Sequence, residues 1–190
     1  MTQSAKNTMR SILRQRRQAL SANAQATAGN GVTQQVFELP EWQGVQRIAI
    51  YHAADGEIDT KAIIQHCHRQ EIQVYLPVMG AARSIVFARY CPGEALIQNS
   101  FGLFEPPAGA PLCPVANLDI IFLPLVAWDS GGGRLGMGGG YYDRVLAGST
   151  GSLLVGMAHQ IQEVEKVPRD SWDIPLNAIV TDTATYHCKK

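Results

Sequence analysis

Residues 119–146 read DIIFLPLVAWDSGGGRLGMGGGYYDRVL, and this stretch decides how the rest of the chain is organised. Its first block, residues 120–128, is an apolar run interrupted by Pro124, which predicts a buried strand. A loop dense in glycine follows at residues 131–140, and residues 141–146 then predict the start of a helix. A buried strand that leads through a glycine loop into a helix is a common form of phosphate-binding site.

The chemistry of this loop favours an anionic ligand. Glycine leaves no side chain between the backbone N–H groups and an anion, and it adopts positive φ angles readily. Arg134 adds a permanent positive charge, and Asp143 adds a carboxylate where a divalent ion that bridges phosphates would bind. The usual phosphate motifs fit poorly, because more glycine follows the G-x-G-x-x-G of residues 131–136 and no lysine completes a P-loop. A flexible surface loop is the alternative, although a plain linker would carry serine and lysine instead of two tyrosines.

The composition is that of an ordinary globular protein. Of the 190 residues, 46% are hydrophobic and 17% are charged, the formal net charge is +0, and the isoelectric point is near 7.0. A neutral chain has no overall electrostatic preference for nucleic acid or for a membrane surface, and the longest apolar run is too short to span a bilayer. The four cysteines form no C-x-x-C pair, which predicts reduced thiols in a cytoplasmic protein.

The N-terminal segment is basic. The cations that precede the first acidic residue, Glu38, are Lys6, Arg10, Arg14, Arg16 and Arg17. Lys6 and Arg10 lie four residues apart on a predicted helix, so they share a face and can converge on one anion; a solvated basic face is the simpler alternative. An Arg-rich, acid-poor start is also compatible with a transit peptide or a nucleic-acid-binding arm, whereas the lack of an apolar h-region argues against secretion.

Strand and helix patterns alternate along the chain. Helices are predicted over residues 5–20, from a cap at Ser21 or Asn23 to Glu38, and from a cap at Asp59 or Thr60 to about residue 69. Besides the apolar run, strands are predicted at residues 47–51, 73–78, 85–90, 152–158 and 178–181, the last before a polar tail. This alternation predicts an α/β fold, a single three-layer domain over residues 1–190 with a largely parallel sheet.

Two segments outside the glycine loop are candidates for ligand contacts. Glu57 lies between the strand predicted at residues 47–51 and the helix that begins near residue 59, where open α/β sheets bind ligands. An exposed loop acid is equally compatible with that position. Residues 91–117 carry five prolines and predict a loop-rich crossing segment, whose aromatic residues either pack within the loop or form a wall for a flat ligand.

Residues 134–144, RLGMGGGYYDR, closely resemble the signature of the 5-formyltetrahydrofolate cyclo-ligase family, also called methenyltetrahydrofolate synthetases, and residues 122–129 match the segment before it. The resemblance extends over nearly the whole chain. It includes an N-terminal Lys-x-x-x-Arg at Lys6 and Arg10 and a Gly-Glu-Ile-Asp-Thr around Glu57. It implies a fold similar to that of ribose-phosphate isomerases and CoA transferases, in agreement with the predicted architecture.

The resemblance also implies a role for each matching residue. The ATP-binding residues would be Lys6, Arg10, Arg134, Leu135, Gly136, Met137, Gly138, Gly139, Gly140, Tyr141 and Tyr142. The folate-binding residues would be His52, Glu57, Met137, Gly138, Gly139, Gly140 and Tyr141. Arg134 and Asp143 would be catalytic, with Asp143 as the magnesium ligand. The chain departs from the family pattern at Met137 and Gly139, where some members carry basic residues, and at Asn177, where an aspartate metal ligand is frequent.

The reaction implied is the ATP- and Mg²⁺-dependent closure of 5-formyltetrahydrofolate to 5,10-methenyltetrahydrofolate, with release of ADP and phosphate. Phosphorylation turns the formyl oxygen into a good leaving group, and N10 can then attack the formyl carbon. Such chemistry depends on positioning and on charge neutralisation more than on a nucleophilic side chain. The sequence agrees with this, since it carries no Ser-His-Asp pattern and no context for a reactive cysteine.

Other functions are compatible with parts of the sequence. An isomerase or CoA transferase on the same fold would leave the loop from Arg134 to Asp143 without an evident task. A nucleotide-binding regulator would bind ATP without turnover, and a nucleic-acid binder would use the basic N-terminal helix, although the rest of the chain is not basic. We therefore expect small-molecule substrates as the partners, no nucleic acid, no membrane, and a monomeric protein.

Overall fold

The computed structural model of the chain describes residues 3–148 and 151–188. The α-helices in these residues are α1 (Gln3–Gln18), α2 (Ala22–Phe37), α3 (Lys61–Arg69) and α4 (Tyr141–Leu146). The strands are β1 (Arg47–Ala49), β2 (Gln73–Met79), β3 (Ile85–Tyr90), β4 (Ile97–Gln98), β5 (Phe104–Glu105), β6 (Leu112–Cys113), β7 (Ile120–Pro124), β8 (Ala127–Trp128), β9 (Arg134–Leu135), β10 (Leu153–Ala158), β11 (Ala178–Thr181) and β12 (Thr185–His187).

One eight-stranded sheet organises the fold, with the order β12-β11-β10-β7-β1-β2-β3-β6. The five central strands, from β11 to β2, are parallel, and the outer strands pair antiparallel. In the centre, Ile48 pairs with Val74 on one side and with Ile120 on the other. All three are buried, as expected for parallel strands covered on both faces. The prediction of an α/β fold with a largely parallel sheet is therefore confirmed.

Side chains from alternate positions of the central strands enter two separate apolar layers. Ile48 and Phe122 point into a layer with Val32 of α2 and Ile63 of α3. On the opposite face, Ile121 and neighbouring strand residues pack in a layer that includes Leu146 of α4. Because successive strand residues face opposite sides, each apolar strand contributes to both layers. Helices and loops thus cover the sheet on both faces.

The predicted caps place α2 and α3 over the sheet. Ser21 is the N-cap of α2, and its hydroxyl oxygen accepts a hydrogen bond from the Ala24 amide at 3.2 Å. At Gly31 a Cβ would lie 2.5 Å from the Asp182 carbonyl oxygen, so only glycine permits this close packing of the helix. Thr60 stands at the N-cap of α3, and its hydroxyl donates to the Tyr51 carbonyl at 2.8 Å, which ties the helix start to the end of β1.

The structure corrects the predicted strands at two places. Residues 178–181 do not form the last strand, because Thr185–His187 pairs antiparallel with it inside the segment predicted as a polar tail. The strand Thr185–His187 could not be recognised from the sequence, because a three-residue edge strand needs little apolar surface. The ring of its Tyr186 lies 4.7 Å from that of Trp128. In addition, β2 ends at Met79, one residue beyond the predicted strand; its Pro77 lies past the last residue of β1, where a position without an N–H is tolerated.

The carboxyl ends of β1, β7 and β10 meet at one edge of the sheet, and the segments that follow them hold the candidate site residues. Helix α1 packs on this edge, where Leu13 lies among Val126, Leu135 and Val167. The buried residues of α1 are Lys6, Leu13 and Arg17, so the helix is docked on the fold and its basic face is not wholly solvated. Within residues 3–148 and 151–188, none of the helices combines the length and apolar character needed to cross a bilayer.

Candidate functional site

The first glycines of the loop build a hairpin turn and do not cradle a ligand. Strands β8 and β9 pair antiparallel, and the turn between them is closed by the Asp129 side chain. Its Oδ1 accepts hydrogen bonds from the amides of Gly131, at 3.0 Å, and Gly133, at 2.9 Å. A Cβ at Gly133 would collide with the Asp129 carboxylate, so this glycine is required by packing. The N–H groups of this half of the loop are therefore already used within the protein.

The second half of the loop is held by Arg10 of α1. The Nε of Arg10 donates to the Gly136 carbonyl at 2.8 Å, and a Cβ at Gly138 would lie 3.2 Å from the Arg10 guanidinium carbon. Gly138 and Gly140 have φ angles of 95° and 66°, which favour glycine. Gly140 is the N-cap of α4, so the chain turns directly from the loop into the helix that carries Tyr142.

Arg134 and Asp143 form the central ion pair of the loop. Nη2 of Arg134 donates to Asp143 Oδ1 at 2.5 Å, and the Arg134 side chain is only 6% exposed. Its Nε is buried and has no hydrogen-bond partner among the residues that the structure describes. A buried donor without a partner costs free energy, which an incoming anion would recover. The Ile174 amide also approaches Asp143 Oδ1, at 3.4 Å.

Lys6 pairs with two carboxylates that were not predicted as site residues. Its Nζ donates to Asp170 Oδ2 at 2.6 Å and lies 3.7 Å from Asp173 Oδ2. Burial lowers the pKa of Arg10, and the charge of Asp173 acts in the opposite direction. Lys6 lines a cleft of about 680 Å³ together with Asp129 and residues 165–170. Only the folded chain brings Lys6 and Asp170 together, since 164 residues separate them.

Glu57 lies in a second, smaller cleft. This cleft has a volume of about 310 Å³ and is lined by His52, Ala53, Ala54, Asp55, Gly56, Glu57, Asp59, Thr60 and Lys61. The Glu57 Oε2 accepts a hydrogen bond from the Ala54 amide at 3.1 Å, and Oε1 lies 3.7 Å from Arg17 Nη2. Burial raises the pKa of Glu57 to about 7, although Arg17 acts in the opposite direction. A carboxyl group with this pKa changes charge near neutral pH.

The two tyrosines of the loop have different neighbours. Burial raises the pKa of Tyr142, and the negative charge of Glu57 adds to the effect, while Arg134 opposes it. Tyr142 therefore lies within the fields of both Glu57 and Arg134. Tyr141 faces the hairpin formed by β4 and β5, and its ring lies 6.3 Å from that of Phe101. The ring of Phe104, in the same hairpin, lies 5.7 Å from that of His52.

The aromatic residues of this hairpin are more exposed than loop packing requires. Phe101 is 62% exposed and Phe104 is 45% exposed, yet both lie against residues predicted to bind the folate. Met137, in the loop, is also exposed. Exposed apolar side chains around a cleft are typical of a ligand-binding surface. Phe101 and Phe104 therefore combine packing against Tyr141 and His52 with exposed apolar surface.

Asn177 is hydrogen-bonded within the main sheet. The side-chain oxygen of Asn177 accepts a hydrogen bond from the Leu154 backbone N–H at 2.8 Å. The backbone N–H of Asn177 donates to the Leu154 carbonyl at 2.9 Å. These contacts join the start of β10 to the residue before β11. An oxygen engaged in this way has a structural task, whereas Asp173, next to the Ile174 that approaches Asp143, carries a charge near the loop.

The fold and the site together define a class of protein: an α/β protein with a glycine loop and a buried Arg134–Asp143 ion pair at the carboxyl edge of a mostly parallel sheet. Comparison with known proteins narrows this class. The sequence model of the 5-formyltetrahydrofolate cyclo-ligase family matches residues 2–182. The chain belongs to this family, whose members are enzymes, and the resemblance identified from the sequence is confirmed.

Individual relatives agree with the family match. The chain is 43% identical over 173 residues to a 5-formyltetrahydrofolate cyclo-ligase of Haemophilus influenzae, covering 88% of this chain and 92% of that protein. The enzyme of the same name from Escherichia coli is 37% identical over 180 residues, covering 92% and 99%. The solved structure of Aquifex aeolicus 5,10-methenyltetrahydrofolate synthetase superposes with a TM-score of 0.85 at 30% identity, covering 97% of this chain and 93% of that chain.

Proposed function

We propose that this protein closes 5-formyltetrahydrofolate to 5,10-methenyltetrahydrofolate at the expense of ATP, with release of ADP and phosphate. The observation that carries the proposal is the buried Arg134 guanidinium beside the glycine loop. Its Nε lacks a partner within the described residues, and its charge faces a loop that leads into Tyr141 and Tyr142. A site of this kind suits a phosphoryl group that moves between two substrates.

The reaction requires the protein to position its two substrates and to neutralise the negative charge of the phosphoryl group. A formyl oxygen cannot leave carbon easily as hydroxide or oxide, but a phosphorylated oxygen leaves as phosphate. Transfer of the terminal phosphoryl group of ATP to that oxygen prepares the formyl carbon for attack by N10, which closes the five-membered ring. Holding the two substrates in line contributes most of the acceleration, and fixed positive charge stabilises the phosphoryl group during transfer.

On the nucleotide side, Arg134, Arg10 and Lys6 supply the positive charge. Arg10 already lies on the loop at Gly136, and Lys6 would exchange the carboxylate of Asp170 for a phosphate oxygen. The backbone of residues 135–142 would approach the phosphates where glycine leaves room. The cleft of about 680 Å³ that Lys6 lines has the volume of a small-molecule site and would take the nucleoside.

On the folate side, Glu57 and His52 lie in the smaller cleft, and Tyr141 of the loop would approach the folate from beside Phe101. A Glu57 carboxylate can accept hydrogen bonds from the amino and ring N–H groups of a pterin, which would orient the flat ring. Phe101 and Phe104 would cover that ring with aromatic surface. Met137 and the glycines at 138–140 form the border between the two substrates, consistent with their predicted contact with both.

A magnesium ion fits beside Asp143. Magnesium is commonly held by one or two carboxylates, waters and substrate phosphates. The Oδ2 of Asp143 receives no hydrogen bond from residues 3–148 or 151–188, and no group of three metal-ligating His, Cys, Asp or Glu side chains occurs in this part of the chain. Asp143 would hold the ion, and Asp173 is the second carboxylate near it. When bound, magnesium would neutralise phosphate charge.

A direct assay tests the proposed activity. The protein is mixed with Mg-ATP and 5-formyltetrahydrofolate, and the absorbance of the methenyl product is followed together with ADP release. We expect one ADP for each methenyl group formed. ATP binding without turnover would instead identify a regulator, and turnover of unrelated acyl or sugar substrates without ATP would identify an isomerase or transferase on the same fold. The assay uses the chain of residues 1–190, which we expect to fold as one domain.

A further inference from the structure

The loop that carries Glu57 is fastened to the end of α1 by an ion-pair network. The side chain of Asp55 accepts hydrogen bonds from Arg14 Nε at 2.8 Å and from Arg17 Nη2 at 2.6 Å, and Gln18 donates to its other oxygen. These three donors lie on the last turn and a half of α1. The opposite end of the same helix carries Lys6 and the middle carries Arg10, so one helix contacts both proposed substrate sites.

Arg17 is the buried member of this network. Only 1% of its side chain is exposed. Nε donates to the Asp55 carbonyl at 2.9 Å, Nη1 donates to the Leu125 carbonyl at 3.1 Å, and Nη2 reaches the Asp55 carboxylate. The same Nη2 lies 3.7 Å from Glu57 Oε1. A buried charge is tolerated only when it is paired, and here Asp55 is the nearer partner and Glu57 the more distant one.

The backbone of the loop is held in a conformation that it would not adopt alone. Asp55 and Gly56 have φ angles of 54° and 74°, both in the left-handed region. At Gly56 a Cβ would lie 3.3 Å from the Arg17 carbonyl oxygen. The Gly56 carbonyl oxygen also lies 3.0 Å from His159 Nε2 and accepts a hydrogen bond from Gln25 Nε2. The residue before Glu57 is thus fixed by contacts from three directions.

We propose that Arg17, held by Asp55, is a positioning residue that sets the place and the charge of Glu57 in the folate site. The proposal rests on the proposed function. Arg17 is too deeply buried to touch a ligand, so it acts only through Glu57. Because Asp55 takes the closest hydrogen bond, Arg17 attracts the Glu57 carboxylate without covering it. Oε1 of Glu57, 3.7 Å from Arg17 Nη2, thus forms no hydrogen bond with Arg17 and can accept one from the substrate.

The electrostatic consequence has a definite sign for each partner. The charged and titratable groups around Glu57 are Arg14 and Arg17 of α1, Asp55 of the loop, Tyr51 after β1 and Tyr142 of α4. Burial raises the pKa of Glu57, Arg17 and Arg14 lower it, and Asp55 raises it. Removal of the Arg17 charge should therefore move the Glu57 titration to higher pH, and removal of the Asp55 charge should move it to lower pH.

Two variants with opposite expected shifts test this role. In Asp55→Asn the amide oxygen can still accept from Arg17, and in Arg17→Met the charge is lost while the chain length is kept. Carboxyl carbon NMR of glutamate-labelled protein, with the Glu57 signal assigned by its loss in Glu57→Gln, gives each titration midpoint without any turnover. We expect the midpoint to fall in Asp55→Asn and to rise in Arg17→Met.

The same variants are then assayed for folate use. If the ionised Glu57 binds the pterin, each unit by which Arg17→Met raises the Glu57 midpoint should raise the KM for 5-formyltetrahydrofolate at pH 6 by about tenfold, because below both midpoints the ionised fraction falls tenfold per unit. The KM for ATP should change little, and Arg17→Lys should restore most of the folate affinity. Arg16→Gln, an exposed arginine of the same helix, is the matched control and should leave both midpoint and KM unchanged.

Each outcome is decisive. Midpoints that stay fixed or move in the same direction in both variants would overturn the positioning role, and so would an unchanged folate KM in folded Arg17→Met. Should Arg17→Met fail to fold, Asp55→Asn decides alone, because its midpoint must fall. If the two variants show the opposite NMR shifts but the wild-type protein neither binds nor converts the folate, the proposed function is refuted and the positioning of Glu57 by Arg17 is not.

Discussion

Replacement of Arg134 by alanine should separate catalysis from stability. Arg134 lies between the glycine loop and Asp143, with 6% of its side chain exposed, and its Nε has no partner within the described chain. In the free protein this guanidinium makes one short charged hydrogen bond, to Asp143. In the proposed complex it would meet the phosphoryl group during transfer. Arg134 should therefore contribute little to the stability of the free protein and much to the rate of phosphoryl transfer.

The expected magnitudes follow from these contacts. Loss of a hydrogen bond between charged groups costs about 1.5–3 kcal/mol of stability. Removal of the buried guanidinium also removes an unsatisfied donor, whose burial costs about 1–3 kcal/mol. These two effects nearly cancel, so the free energy of unfolding should change by about 1 kcal/mol or less. Loss of one donor to developing transition-state charge lowers kcat by about 10²–10³, since no other group replaces it.

Urea unfolding and methenyl absorbance measure the two quantities on the same protein. Arg69→Ala, which removes an exposed arginine at the end of α3, is the matched control and should alter neither. A folded Arg134→Ala protein with near-normal kcat would remove Arg134 from the phosphoryl site. A loss of several kcal/mol in stability would show that the guanidinium is a structural anchor and that its unpaired Nε is not a sign of a missing ligand.

Three further predictions concern the other site residues. Deletion of residues 1–12, which removes Lys6 and Arg10, should sharply raise the ATP concentration needed for turnover or abolish activity. Unchanged kinetics would show that Lys6 and Arg10 do not bind ATP. Asp143→Asn should abolish magnesium-dependent turnover, whereas Asn177→Ala should keep it and lose about 1–3 kcal/mol of stability through the unpaired Leu154 amide; equal damage to magnesium dependence would contradict this. Because burial raises the pKa of Glu57 from 4.5 to about 7, the folded state binds its proton more tightly, so the contribution of Glu57 to stability is largest below pH 4.5 and falls by about 3 kcal/mol as the pH rises to 7. Glu57→Gln should lack this slope in urea titrations across that range, and a wild type without the slope would show that Glu57 titrates normally.

The elements that could be predicted from the sequence are those with a local signal. Residues close together in the chain predict β7 in the first part of the apolar run, the Ser21 cap of α2 and the inward face of α3. The prediction of one strand over residues 120–128 was wrong at its end, because residues 127–128 form β8 and pair with β9 outside the main sheet. The glycine loop could be located in the same way, because its composition is unusual. Its division into two halves could not, since the turn at residues 131–133 is set by the Asp129 side chain, and a run of glycines looks alike throughout.

Partners from distant parts of the chain were beyond prediction. Nothing near Lys6 indicates that it lies on Asp170, and nothing near Arg17 indicates that its charge is buried beside Asp55 and the Leu125 carbonyl. A basic helix looks solvated from its sequence because the groups that neutralise it belong to other segments. In the structure Lys6 lines one cleft and Glu57 another, which no local pattern in the sequence indicates.

The ends of the main sheet have a consequence for self-association. An exposed edge strand offers a row of unpaired backbone groups on which the strand of another molecule can add, which begins aggregation. Here one edge is β6, only Leu112–Cys113, and it stands between Pro111 and Pro114, which have no N–H to donate. The other is the three-residue β12. Neither edge is long enough to template a further strand, so the exposed Leu112 side chain at this border does not become the start of an intermolecular sheet.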